Sequence, residues 1–149
     1  MLLAVLRRGL VPLAWVWAAS IPAAAFAAGR AHAGSPSSVL AAAVYAAASF
    51  LCHQRPERSF HLWAAQLPVC ARCTGIYVGA VCTTLVRARR IRRPLPFLLA
   101  ASAPAAMTLV YEWSTGTVPG NWVRAISGLA IGAAVMVLLR GELGTSEVN

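Results

Sequence analysis

The chain has 149 residues, room for one modest domain, and 59% of them are hydrophobic against 11% charged. A mean hydropathy of +0.67 goes with several apolar runs near the roughly 18–20 residues needed to cross a ~30 Å hydrocarbon core. A soluble globule of this size has no interior that hides so many apolar helices, so the composition points to an all-α integral membrane bundle of four to five transmembrane helices.

The first apolar run, 9–28, follows Arg7 and Arg8 and carries Trp15 and Trp17. Its length and its tryptophans favour a retained helix. The small-residue patterns AFA (25–27) and AHA (31–33) also fit a cleaved signal peptide. A Gly-, Pro- and Ser-containing connector at 29–38 follows. The second run, 39–51, has only 13 residues, and it either spans with help from its flanks or lies at the interface. The third is expected from about Pro68 to Val86, with Pro68 in the first helical turn. The fourth runs from Pro94 to Tyr111, with Pro96 and Pro104 inside it, and the fifth from Trp122 to Leu139, ending at Arg140. No internal repeat is visible. The chain divides into an N-terminal helix with its connector (1–38), a membrane domain (39–140) and a polar tail (141–149).

The net charge of +9 comes largely from arginine, and five arginines lie in RARRIRR (87–93). A run wedged between two apolar spans, with no aromatic or Gly-rich binding motif beside it, reads as a cytoplasmic cap on membrane helices, and no nucleic-acid partner is expected. With that run inside, the third helix starts at the outer face, and the fourth and fifth meet there. The stretch Cys52–Cys73, Glu112 and Trp122 then share the extracytoplasmic side of the plasma membrane. Trp63, Trp113 and Trp122 fit an aromatic belt at that interface. If the second run does not span, Arg7 and Arg8 also fall inside.

That outer stretch, CHQRPERSFHLWAAQLPVCARCTGIY (52–77), holds three of the four cysteines and two of the three histidines. Cys70 and Cys73, three apart near a helix start, share a face. The partial positive charge there, with Arg72 nearby, favours thiolate over thiol. A Cys-x-x-Cys so placed suits two chemistries. The first is metal binding, with Cys52, His53, Cys70 and Cys73 as three sulfurs and one nitrogen for zinc, iron or copper. The second is thiol–disulfide exchange, with Cys70 as nucleophile, Cys73 as its resolving partner and Cys52 as shuttle. A plain structural disulfide, in an accessory subunit with no chemistry of its own, is the third reading.

Gln54, Arg58, Glu112 and Arg124 are candidate neighbours, with Glu112 paired to Arg58 or Arg124. Cys82, nine residues after Cys73 and so roughly half a turn away and ~13 Å deeper, reads as a small buried apolar residue. GIYVG (75–79) is a small-xxx-small packing pattern. A homo-oligomer or a redox partner protein stays open.

The segments CHQRPERSF, QLPVCARCTGIYVG and NWVRAISGLAIG resemble the family called domain of unknown function 2085, small membrane proteins of bacteria and archaea. The resemblance covers roughly residues 40 to 139. It implies that Cys52, His53, Gln54, Arg58, Ser59, Cys70, Arg72, Cys73, Gly75 and Arg124 are motif positions, with Glu112 the match to the family's acidic residue. It implies no activity.

Overall fold

The computed structural model describes residues 2–30, 35–86 and 91–145. Within them the order is α1 (Leu2–Arg30), α2 (Pro36–Ser49), a 3-10 turn at Pro56–Arg58, β1 (Ser59–Leu62), β2 (Ala65–Cys70), α3 (Ala71–Thr84), α4 (Pro94–Thr115) and α5 (Asn121–Thr145). Three segments are long and apolar enough to cross a membrane: Gly9–Arg30, Pro94–Thr115 and Asn121–Gly141, of 22, 22 and 21 residues. At 1.5 Å per residue each is about 32–33 Å long. Large apolar side chains such as Leu13, Val16, Leu99, Met107 and Ile126 stand exposed on their outer surfaces, as lipid-facing positions do and those of a soluble domain rarely do in such number. The helical membrane bundle expected from composition is the fold observed.

The bundle is organised by a close, parallel pair. On α3, a Cβ added at Gly75 would come 1.9 Å from the Ala125 carbonyl oxygen, and one at Gly79 would come 2.2 Å from that of Leu129. The α5 glycines reciprocate: a Cβ at Gly128 would lie 2.1 Å from the Arg72 oxygen, and one at Gly132 would lie 1.8 Å from that of Ile76. Residue numbers rise together along both helices, so α3 and α5 run parallel with their backbones touching. Only glycine permits that approach, which replaces side-chain packing with dispersion between main chains where lipid supplies no hydrophobic drive. Arg140 closes the far end, donating to the Thr83 and Val86 carbonyls at the C-terminal end of α3 at 2.9 and 2.8 Å.

α1 lies antiparallel to α3. Trp15 Nε1 donates to Thr84 Oγ1 at 3.0 Å, and Trp17 meets Tyr77 edge-on with ring centroids 6.0 Å apart. α2 has 14 residues, about 21 Å, too short for a hydrocarbon core. Its start is capped by Ser35, whose side chain accepts from the Ser38 amide, with Pro36 in the first turn. It delivers Cys52 to the end of the bundle where α3 begins. α2 and the equally long α3 are therefore not among the three segments long enough to cross by themselves, and the N-terminal end of α1 points to the Thr84 end of the bundle. The AHA pattern at 31–33 and Arg87, Arg89 and Arg90 lie outside the described residues.

The third apolar run differs from expectation. Pro68 is not in a helix: it sits in β2, fully buried, and α3 starts at Ala71 with Cys70 extended as its N-cap (φ −69°, ψ 162°). Ser59 pairs with Cys70 and His61 with Gln66, so residues 67–69 bulge opposite Phe60 alone. A proline fits in that bulge because no ladder N–H is needed there. The sequence reading contained no hairpin at all.

Because the α3–α5 contact has no slack, Gly132→Ala is expected to destabilise the protein by about 1–3 kcal/mol through overpacking. Thermal unfolding in detergent reads this, with Gly120→Ala as the control, since nothing lies within 4 Å of a Cβ built at Gly120.

Candidate functional site

The loop from Cys52 to Ser59 is held by its own polar side chains. The Cys52 amide donates to Ala48 O at 2.9 Å, continuing the last turn of α2. Gln54 then takes a positive φ of 49° and turns the chain back. Its side-chain amide donates to Tyr45 O at 2.7 Å, while Gln66 Nε2 donates to Gln54 O at 2.6 Å. Tyr45 donates its hydroxyl proton to the Gln66 carbonyl. Ser59 Oγ donates to Arg55 O at 2.9 Å, and Asn121 Nδ2 reaches Ser59 O at 3.0 Å, tying the loop to the start of α5. Buried loop carbonyls need partners, and the two glutamines and Ser59 supply or occupy them. Gln54, Ser59 and the placement of Asn121 near this loop were legible in the sequence, whereas Tyr45 and Gln66 as loop supports were not.

This scaffold brings Cys52, Cys70 and Cys73 together, with all three sulfurs within 4.8 Å of one another. All are free thiols, Cys52 buried and the other two half-buried. The Cys70 amide donates to Cys52 Sγ at 3.2 Å. Sulfurs bound to one tetrahedral ion at about 2.3 Å each stand roughly 3.8 Å apart, so the trio needs only a small contraction to share a cation. His53 is exposed and its ring lies outside the three-sulfur group, at the mouth of the cavity the thiols line. The structure thus brings together three of the four expected ligands and leaves the fourth at the rim. Cys82 takes no part, as its position half a turn away requires, but it is exposed on the outside of α3 and not buried as expected. On a membrane helix, lipid and not protein can be the apolar surroundings that such a residue faces.

The cavity holds about 400 Å³, and its lining includes the three cysteines together with Arg55, Arg58, Arg72 and Arg124. Arg58 Nη2 donates to Glu112 Oε1 at 2.5 Å, so of the two partners expected for Glu112 the structure selects Arg58. Glu112 lies in the last turn of α4, where the helix end is itself negative, and the guanidinium offsets both charges. Arg72 Nη2 donates to Thr108 Oγ1 at 2.8 Å, a partner on α4 that the sequence reading did not name. Cys70 is pushed down to about 5, chiefly because the Cys73 S–H donates to its sulfur. The amides of Arg72 and Cys73 add to this without closing a hydrogen-bonded cap. The same hydrogen bond keeps the proton on Cys73, whose affinity for it is raised.

A thiol lowered to about 5 is ionised across neutral pH, whereas an ordinary one near 8.5 is mostly protonated there. In reduced, chelator-treated protein, Cys70 alkylation by iodoacetamide is expected to stay on its plateau as pH falls from 8 to 6. The rate should halve only near the lowered value of about 5. Peptide mass spectrometry reads the site, and a midpoint above 8 overturns the assignment.

Two archaeal relatives, both described as uncharacterized, match short segments. A protein of Methanocaldococcus jannaschii is 50% identical over 38 residues, 26% of this chain and 24% of that protein. One of Methanothermobacter thermautotrophicus is 55% identical over 31 residues, 21% of this chain and 28% of that protein. The matches therefore span about a quarter of each relative's length. No solved structure matches the chain. Residues 52–138, from the first clustered cysteine nearly to the end of the last apolar run, match the family described as "Predicted membrane protein (DUF2085)", and the chain belongs to that family.

Proposed function

We propose that this membrane protein binds a soft or borderline metal cation, of the zinc, copper or iron class, through the thiolates of Cys52, Cys70 and Cys73. The observation that carries the reading is the meeting of three sulfurs, from two separate segments, within 4.8 Å of one another. Thiolate sulfur selects these cations over calcium or magnesium. A tetrahedral ion takes a fourth donor, and His53 at the cavity mouth is the nearest candidate in sequence, reached by a swing of the 52–54 loop. The site belongs, in this reading, to the extracytoplasmic side of the plasma membrane, with the arginine-rich 87–93 run on the cytoplasmic side as charge bias requires. Its use is metal sensing, handling or stapling of the hairpin to α3.

A second reading has its own observation. The Cys70 and Cys73 sulfurs within 4.8 Å of each other, with the first thiol's pKa lowered and the second's raised, suit a dithiol that attacks a disulfide with one sulfur and resolves with the other. Cys52, adjacent to both, would then pass the disulfide onward.

The two readings separate on purified full-length protein. Metal binding predicts about one equivalent of zinc, copper or iron after anaerobic purification, lost in Cys70→Ser and weakened about tenfold or more in His53→Ala if that ring closes the shell. The redox reading predicts little metal, a reversible two-electron titration and indifference to His53. Elemental analysis with thiol counting decides, and an inert disulfide with no metal overturns both.

A further inference from the structure

Arg124 is the most unusual charge in the molecule. It lies in the first turn of α5, is only 3% exposed, and lines the same cavity as the thiols. Its Nε and Nη1 make no hydrogen bond among the described residues, nor do Arg72 Nε and Arg58 Nε, the latter standing 3.9 Å from Glu57 Oε1; of the carboxylate oxygens, Glu112 Oε2 is buried and open as well, its other oxygen being taken by Arg58. A buried guanidinium without a partner is strongly unfavourable, because the charge has left water without compensation. The neighbouring protein charges do not supply that compensation. Four guanidinium groups line the cavity, those of Arg55, Arg58, Arg72 and Arg124, and two carboxylates answer them, Glu57 beside Arg55 and Arg58 and Glu112 on Arg58. With Cys70 ionised the excess is one positive charge. With a divalent cation held by three thiolates the excess is also one, so the deficit of negative charge does not depend on the metal reading.

The backbone adds to the same field. α3 and α5 run parallel and both begin at this cavity, so the positive ends of two helix dipoles converge where Arg72 and Arg124 sit. Two helix starts and a guanidinium with free donors on two nitrogens form a preorganised cradle for a compact anion. A forked guanidinium matches the paired oxygens of a tetrahedral oxyanion better than it matches a halide.

We infer that the cavity is an anion site, in which Arg124 and Arg72 hold a phosphate-type oxyanion beside the three thiols. The same chemistry is offered by free phosphate and by the phosphodiester of an anionic lipid, and the cavity stands at the end of a membrane bundle where either can reach it.

The test uses full-length, reduced and chelator-treated protein in a zwitterionic detergent, with inorganic phosphate as the first probe in equilibrium dialysis. One saturable site is expected, weakened roughly tenfold or more in Arg124→Gln through loss of charge-assisted hydrogen bonds. Arg124→Lys, which keeps the charge but not the fork, should fall between the two, and it covers the case in which the glutamine variant does not fold. The second arm places the protein in nanodiscs of phosphatidylcholine with or without phosphatidylglycerol. Arg124-dependent retention of phosphatidylglycerol with no binding of free phosphate assigns the lipid source. No saturable binding in either arm, or equal binding by wild type and both variants, overturns the inference. Metal content measured on the same preparation before chelator treatment keeps the two readings apart: anion binding by protein purified without metal sinks only the thiolate–metal reading, and metal without anion binding sinks only this one.

Discussion

The site depends on one packing constraint, the contact of the α3 and α5 backbones at Gly75, Gly79, Gly128 and Gly132. A left-over methyl at any of the four would meet a carbonyl oxygen at about 2 Å, so the helices are locked in azimuth and in register. Parallel packing of two helices places like dipole ends together, an unfavourable arrangement on its own. Here that unfavourable field is concentrated at one end, where a thiolate at Cys70 and the Glu112 carboxylate lie. Packing and chemistry are therefore the same feature seen from two sides: the glycines bring two helix starts together, and the helix starts make a place for negative charge.

The hairpin is the second requirement, because it brings Cys70 back to Cys52. Its two-residue turn, Trp63–Ala64, has positive φ at both positions (52° and 61°), as a type I′ turn demands. Neither residue tolerates that region well, each at about 1–2 kcal/mol. The compensation is tertiary. Trp63 packs edge-on against Phe26 with centroids 5.2 Å apart, and its carbonyl nests where a Cβ on Gly29 would collide with it. α1 thus holds the turn in place, while Ile21 and Ala25 of the same helix join Ala48, Cys52, Leu67 and Val69 in the packed core beneath the thiols.

These two features explain what could be read from the amino acids and what could not. Apolar length is a one-dimensional property, so the membrane bundle and three of its spans were legible. The separate phase of Cys82 follows from helix geometry and held, whereas Cys70 meets Cys73 from the extended N-cap position and not from a shared helix face. The hairpin was illegible because WAAQ contains no Asn-Gly or Asp-Gly turn signal and its strain is relieved only by a helix more than thirty residues away. Pro68 misled for a related reason: proline suits a helix start, but it also suits a bulge, and only the Ser59–Cys70 pairing decides between them. Cys82 was assigned burial by the logic of soluble proteins, where a small apolar residue has protein around it, while a lipid-facing helix asks for no such cover. His53 shows the limit of adjacency. Consecutive residues in non-helical backbone project to different sides, so burying Cys52 leaves its neighbour at the surface.

The polar residues within the bundle follow from the same electrostatics. In a low-dielectric setting a guanidinium is retained only where something answers its charge. Arg58 is answered by Glu112 and Arg72 by the Thr108 hydroxyl, whereas Arg124 faces a cavity it shares with three sulfurs. In the proposed reading, a divalent cation on three thiolates is a unit of net charge −1, and an oxyanion at Arg124 would be a second negative charge in the same cavity. The two would repel each other, so only the surrounding positive field, from the guanidinium groups and the two helix starts, could hold both.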